Sequence, residues 1–140
     1  MSTRSILLDN AFVAALADTE SASHACATAT YRTLIDGYTT RTNRLFALSS
    51  TLAELPPEIR RSVFAPVETL WVSRQHRSAA QRVDAAVPAH SALTLVMLAR
   101  ERIRTVATIA HGDGRTDYDD FTLDVIIDEQ SGRGDLNHER

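Results

Sequence analysis

Short apolar runs alternate with alanine-rich and amphipathic stretches along the 140 residues of the chain. The short, β-branched or alternating runs are typical of strands, and they lie at residues 5–8, 44–49, 105–110 and 121–127. The stretches with helical spacing or high helix propensity lie at residues 11–18, 24–35, 51–55, 57–72, 75–86 and 91–103. Strands that alternate with helices predict an α/β domain whose parallel sheet is covered on both faces.

Two helix assignments depend on particular residues. Gly37 follows the second helical stretch and is a typical helix stop signal. Residues 57–72 are predicted to form one amphipathic helix with its apolar side chains facing the core, because apolar residues recur in it at helical spacing. These residues are Ile59, Val63, Val67, Leu70 and Trp71.

The length of the chain fits a single domain with room for a core, predicted to span residues 1–128. Residues 129–140 are polar and are predicted to form a disordered tail. No stretch is long and apolar enough for a membrane span, and the one cysteine, Cys26, offers no internal disulfide. Together with a net charge of −3, these features predict a soluble cytoplasmic protein that does not bind nucleic acid by bulk charge alone.

All 15 basic residues are arginines, and the chain contains no lysine. A phosphate-binding P-loop, a Schiff-base enzyme and a protein kinase each need a lysine for their chemistry. These classes are therefore excluded. Arginines remain available for bidentate contacts with phosphate.

Acidic residues follow three of the predicted strands. Asp9 follows the first strand, Glu54 lies past the second, and Asp113 and Asp117 lie in the loop after the third. The carboxyl ends of parallel strands meet at one sheet edge, where such acids repel one another unless a cation such as Mg²⁺ neutralises them. In the alternative interpretation, Asp9 only caps the next helix. The acidic residues of the loop and the neighbouring His111 are then solvated.

Four segments in this order resemble the PIN domain, specifically the small VapC-type ribonuclease toxins of bacterial toxin–antitoxin pairs. The segments are ILLDNAFVAAL, HACATATYRTL, FALSSTLAEL and ALTLVMLARERIRTVATIA, within residues 5–127. The resemblance implies a PIN-like three-layer α/β/α sandwich with a central parallel sheet of four or five strands.

The resemblance also implies a set of site residues. It carries the first acid of the family onto Asp9 and the second onto Glu54, and it places Ser91 where the family has its third acid. For the fourth acid, Asp117 and Asp113 compete, because the loop after the third strand is longer than usual in the family. These residues are the candidate ligands of Mg²⁺, or of Mn²⁺.

The first hypothesis is a Mg²⁺-dependent endoribonuclease toxin of a type II toxin–antitoxin system that cleaves single-stranded or loop RNA. The family implies a homodimer and an antitoxin protein that covers the acidic cleft, and no membrane partner. A second hypothesis is a catalytically degenerate PIN scaffold that binds RNA or protein, because a hydroxyl at Ser91 removes one charge from the site. A third is an unrelated parallel α/β domain with solvated acids.

Overall fold

A computed structural model describes residues 3–40 and 42–128 of the chain. Its strands are β1 (Arg4–Leu8), β2 (Asn43–Leu48), β3 (Val67–Leu70), β4 (Thr105–Ile109) and β5 (Asp124–Asp128). Its helices are α1 (Asn10–Ala17), α2 (His24–Thr39), α3 (Ser49–Leu52), α4 (Pro57–Ser62), α5 (Arg74–Ala80) and α6 (Ala89–Glu101). The predicted tail, residues 129–140, lies outside the described residues. None of the described helices is long and apolar enough to cross a membrane.

The strands form one five-stranded sheet in the order β3-β2-β1-β4-β5, and every neighbouring pair is parallel. Successive side chains of a strand point to opposite faces of a sheet. In β1, Ile6 and Leu8 pack into one core cluster, whereas Leu7 packs into the other. Since each cluster also contains helical residues, the predicted three-layer α/β/α sandwich with a parallel sheet is confirmed.

The two clusters use different helices. The first buries Phe12 of α1 and Tyr31 of α2, and the Tyr31 hydroxyl donates a hydrogen bond to the Val63 carbonyl at 2.6 Å. The second buries Met97 and Leu98 of α6. Helices on both faces explain why the buried part of the central strand β1, residues 6–8, is apolar on both faces.

The single helix predicted over residues 57–72 is wrong. The chain forms the short helix α4, and then the edge strand β3 pairs in parallel with β2. Apolar residues at this spacing fit both structures over so short a stretch, and pairing with β2 decides in favour of the strand. Trp71, predicted to face the core, is 77% exposed.

Three other predicted boundaries are also corrected. Helix α5 ends at Ala80 rather than at residue 86, and β5 begins at Asp124 rather than at residue 121. Gly37 does not end α2, which continues to Thr39. At Gly37 a Cβ atom would collide with the side chain of Asn43, whose amide donates to the Leu34 carbonyl at 3.2 Å. The glycine therefore permits close approach of the segment that leads into β2.

Candidate active site

A pocket of about 140 Å³ lies at the carboxyl edge of the sheet, between the ends of β1 and β4 and the start of α6. The lining includes Asp9 from the end of β1, Ser91 from α6, and His111 and Asp117 from the loop after β4. The lining contains two carboxylates and no arginine. Parallel sheets present ligand sites at this edge, so the topology positions the pocket where sequence analysis expects the chemistry.

Asp9 is held rigidly at the bottom of this pocket. It is 5% exposed, and it is the N-cap of α1, with the Phe12 amide donating to its Oδ1 at 2.9 Å. Its Oδ2 accepts hydrogen bonds from the hydroxyl groups of Thr108 at 2.5 Å and Tyr118 at 2.8 Å. Three donors from three different segments thus fix the orientation of one carboxylate.

The net effect of these surroundings is to raise the pKa of Asp9. Burial raises the pKa because it disfavours the charged form, and the negative charge of Asp117 adds to this effect. Hydrogen bonds from Thr108, the Phe12 amide and Tyr118 act in the opposite direction but do not cancel the effect of burial. A nearby positive charge would therefore stabilise the ionised form of Asp9.

Asp117 occupies the outer part of the pocket. The Ser91 hydroxyl donates to its Oδ2 at 2.6 Å, and His111 Nε2 lies 2.8 Å from its Oδ1. Burial opposes its ionisation, but the hydrogen bonds from Ser91 and His111 outweigh burial and hold the pKa of Asp117 below its usual value. The side chain of Asp117 is 23% exposed, so this carboxylate is both ionised and accessible.

The structure separates the two aspartates that compete in the loop after β4. Asp113 is exposed, and its Oδ1 accepts a hydrogen bond from the Arg115 amide at 3.0 Å, as in a local turn. It does not line the pocket, whereas Asp117 does. Of the two aspartates, Asp117 is therefore the one that lies in the pocket with Asp9.

Glu54 lies outside this pocket. It follows α3 and is exposed, and its backbone amide donates to the Thr51 carbonyl at 3.3 Å. Within residues 3–40 and 42–128, no group of three or more His, Cys, Asp or Glu residues is placed to hold a metal ion. The structure therefore brings together Asp9, Ser91 and Asp117, and leaves Glu54 and Asp113 at the surface.

Sequence reasoning missed two groups that line the pocket, namely Thr108 and Tyr118. Tyr118 is 1% exposed and belongs to the second core cluster, and its burial together with the charge of Asp9 raises its pKa. A tyrosine inside a loop rich in aspartate and glycine is the signal for this position, because an aromatic side chain gives such a loop an anchor in the core. His111, expected to be solvated, is an exposed residue that nevertheless contacts Asp117.

The raised pKa of Asp9 predicts a pH-dependent stability difference between the wild type and Asp9→Asn. The folded protein holds the Asp9 proton more tightly than the unfolded chain does. The contribution of this proton to the free energy of unfolding is therefore fully present below the unfolded pKa of about 3.9, and it is lost as pH rises through the folded pKa. We expect the wild-type minus Asp9→Asn difference in unfolding free energy to fall with pH, by at most about 1.4 kcal/mol per pH unit.

Urea unfolding of both proteins between pH 4 and pH 8 measures this difference. Titrating groups far from Asp9 contribute equally in both proteins, so their contributions cancel in the subtraction. A difference that stays constant or grows with pH would contradict the assignment of Asp9 as a carboxylate destabilised by burial.

Comparison with known proteins gives a match in structure. No family model and no curated protein matches the sequence. Among solved structures, VapC20 of Mycobacterium tuberculosis, described as a toxin that cleaves the sarcin-ricin loop, matches with a TM-score of 0.50 and 17% sequence identity. The match covers 72% of this chain and 86% of that protein. At this identity the likeness concerns the fold, and we conclude that this chain has the PIN-domain fold of a VapC-type toxin.

Proposed function

We propose that the protein is a ribonuclease toxin that cleaves single-stranded or loop RNA at the pocket containing Asp9 and Asp117. The observation that carries this proposal is the convergence of these two carboxylates at the carboxyl edge of a VapC-type fold. The matched VapC20 structure is described as a toxin that cleaves the sarcin-ricin loop. Single-stranded loops fit an open site at a sheet edge, because their bases are free to turn outward.

We propose Mg²⁺, or Mn²⁺, as the cofactor of this reaction. The donor set fits a low-affinity site, since Mg²⁺ in proteins is often held by one or two carboxylates, with water and substrate phosphate completing its coordination. Asp9 and Asp117 are the residues that would hold the ion, and the lining offers no arginine to neutralise them. When bound, such an ion polarises the phosphoryl group and lowers the pKa of an attacking water.

The residues around the two carboxylates have a positioning role in this proposal. Thr108 and Tyr118 fix Oδ2 of Asp9, and Ser91 and His111 each fix one oxygen of Asp117. Hydrogen bonds of this kind orient a carboxylate before the ligand arrives, which lowers the cost of binding. The open side of Asp117 leaves room for an RNA phosphate at the mouth of the pocket.

The proposal includes two protein partners. An antitoxin segment that carries an arginine would fit between Asp9 and Asp117, because a guanidinium group supplies the missing positive charge. A homodimer is the second proposed assembly. Sedimentation of the purified protein tests the homodimer, and competition between an arginine-containing antitoxin peptide and RNA tests the antitoxin contact. A cytoplasmic location stays a prediction.

A second candidate function is a PIN scaffold that binds RNA or protein without cleaving it. The observation in its favour is the Ser91 hydroxyl, which stands where the resemblance puts a third acid and donates a hydrogen bond to Asp117. A neutral hydroxyl in place of a carboxylate weakens any cation site. Restoring the acid separates the two candidates.

We expect Ser91→Asp to lower the Mg²⁺ or Mn²⁺ concentration needed for half-maximal RNA cleavage by about tenfold, because the added carboxylate increases the negative charge beside Asp117. Without metal, the same substitution destabilises the fold through like-charge repulsion. Cleavage of a labelled stem-loop RNA across a metal titration, with EDTA as a blank, measures the effect.

Ser62→Asp is the matched control, since Ser62 is exposed on α4 and the charge change is the same. Its metal dependence should equal that of the wild type. If neither the wild type nor Ser91→Asp cleaves RNA with either metal, the nuclease proposal fails and the binding module becomes the function.

A further inference from the structure

Trp71 is displayed at the surface by an ordered segment of backbone. Its side chain is 77% exposed, and no described residue makes a ring contact or a side-chain hydrogen bond with it. The preceding Leu70 is buried in the edge strand β3, and the amide of the following Val72 donates to the Ser49 hydroxyl at 2.9 Å. Tryptophan is on average among the most buried residue types, so an exposed indole on a backbone that is held at both neighbours is a candidate for contact with a ligand.

A cleft whose first lining residue, Arg74, follows Trp71 by three positions contains three arginines and no acid. It has a volume of about 330 Å³, lies between α5 and α6, and is lined by Arg74, Gln75, Ser78, Ala79, Arg82 and Arg100. Among the described residues, no side chain forms an ion pair with these three guanidinium groups. By contrast, Arg44 at the other end of the sheet is bound through two nitrogens by Glu68, at 2.8 and 3.0 Å.

Three cations that converge on one cleft without a counterion attract an anion. Guanidinium groups bind phosphate through paired hydrogen bonds, and a flat aromatic side chain stacks on a base of any sequence. Proteins that bind single-stranded nucleic acid combine these two elements. Five of the six residues that line the cleft are polar and three of them carry a positive charge. Such a lining does not suit the apolar face of a protein helix, and RNA is the ligand that the observations favour.

We propose that Trp71 and the arginine cleft (Arg74, Arg82 and Arg100) form a binding surface for single-stranded RNA, in which Trp71 stacks on a base and the cleft holds phosphate groups. This inference rests on the proposed ribonuclease function, for which it supplies a substrate-binding surface outside the Asp9–Asp117 pocket.

The surface lies within reach of that pocket. Trp71 follows β3 and Asp9 follows β1, and the strand order places these strand ends two strand spacings apart, about 10 Å. Helix α6 begins beside the pocket near Ser91 and reaches Arg100 nine residues later, a rise of about 14 Å. A few nucleotides of extended RNA therefore span from the pocket to the surface.

Fluorescence and anisotropy titrations of one protein with a labelled, unstructured 12-nucleotide RNA test the inference. The protein is Asp117→Asn in EDTA, so that the RNA is not cut during the titration. Trp71 is the only tryptophan of the chain, so its emission reports directly on contact at this position. We expect RNA to quench this emission, and we expect Trp71→Ala to weaken binding at least about tenfold without changing the salt dependence.

Replacing both Arg82 and Arg100 by alanine is expected to weaken binding about tenfold or more. It should also reduce the slope of log affinity against log salt by about 1.4, or 0.7 for each lost phosphate contact. The matched control replaces Arg60 and Arg61 of α4, which are exposed and do not line the cleft, and should leave the affinity within about twofold.

Three outcomes would overturn the inference. The first is equal affinity and salt slope for the cleft variant and its control, and the second is unchanged Trp71 emission at saturating RNA. The third is a homodimer in sedimentation that Trp71→Ala dissociates while RNA binding persists, which would assign Trp71 to a protein interface.

Cleavage assays keep this inference distinct from the proposed function. If the wild type cuts no RNA but binds it in a way that depends on Trp71 and the arginines, the RNA-binding surface is supported and the nuclease proposal is refuted. If the wild type cuts RNA and the Trp71 and arginine variants bind and cut it equally well, the RNA-binding surface is refuted and the nuclease proposal stands.

Discussion

Substituting Asp117 by asparagine is expected to reduce the rate of RNA cleavage by about 100-fold or more. Asp117 is the accessible carboxylate of the pocket, and its oxygens are oriented by Ser91 and His111. An asparagine keeps the shape but removes the charge, and its amide nitrogen replaces one of the two acceptor oxygens. Initial rates on a labelled stem-loop RNA with Mn²⁺ or Mg²⁺ measure the loss.

Asp113→Asn is the matched control, because Asp113 belongs to the same loop and the substitution removes the same charge. It is exposed and bonds only within its own turn, so its variant should cleave at the wild-type rate to within about twofold. A large loss in Asp113→Asn with activity retained in Asp117→Asn would show that the wrong aspartate has been assigned to the pocket.

Phe12→Ala is expected to lower the free energy of unfolding by about 3–5 kcal/mol. Phe12 is fully buried between α1 and the sheet, in the same core cluster as Ile6 and Leu8. Its removal leaves a cavity under α1, whose N-cap is Asp9, so the carboxylate of Asp9 should also be held less firmly in place. Equilibrium unfolding in urea measures the change in stability.

Phe121→Ala removes the same atoms from a side chain that is 39% exposed. Its cost should be about 2 kcal/mol or less, since more than a third of this side chain stays in water in the folded protein and no enclosed cavity is left behind. Equal losses in the two variants would mean that α1 is not packed on the sheet as described.

The apolar pattern was sufficient to identify the central strands. Residues 5–8, 44–49 and 105–110 were predicted as strands and correspond to β1, β2 and β4, because strands buried on both faces leave an unambiguous apolar run. The edge strand β3 was missed because its four residues are too few to show the two-residue alternation of a strand. Its apolar residues also continue the helical spacing of those in the neighbouring α4. The misplacement of Trp71 follows from this error.

The site could be predicted only in part. The position of Asp9 at the end of β1 follows from sequence, but the choice between Asp113 and Asp117 depends on how the 14-residue loop between β4 and β5 folds. That fold is determined by long-range contacts, namely the Tyr118 hydroxyl on Asp9 and the Ser91 hydroxyl on Asp117. Such pairs are 109 and 26 residues apart in the chain, so no local pattern contains them.

The most direct test of the proposed metal-dependent nuclease is a calorimetric titration of Mg²⁺ and Mn²⁺ into the wild type and Asp9→Asn. The same samples are then incubated with stem-loop RNA, with and without EDTA. We predict metal binding and EDTA-sensitive cleavage in the wild type, and loss of both in Asp9→Asn. A wild type that neither binds metal nor cleaves RNA, or one that cleaves equally well in EDTA, would contradict the assignment of the Asp9–Asp117 pocket as a metal-dependent nuclease site.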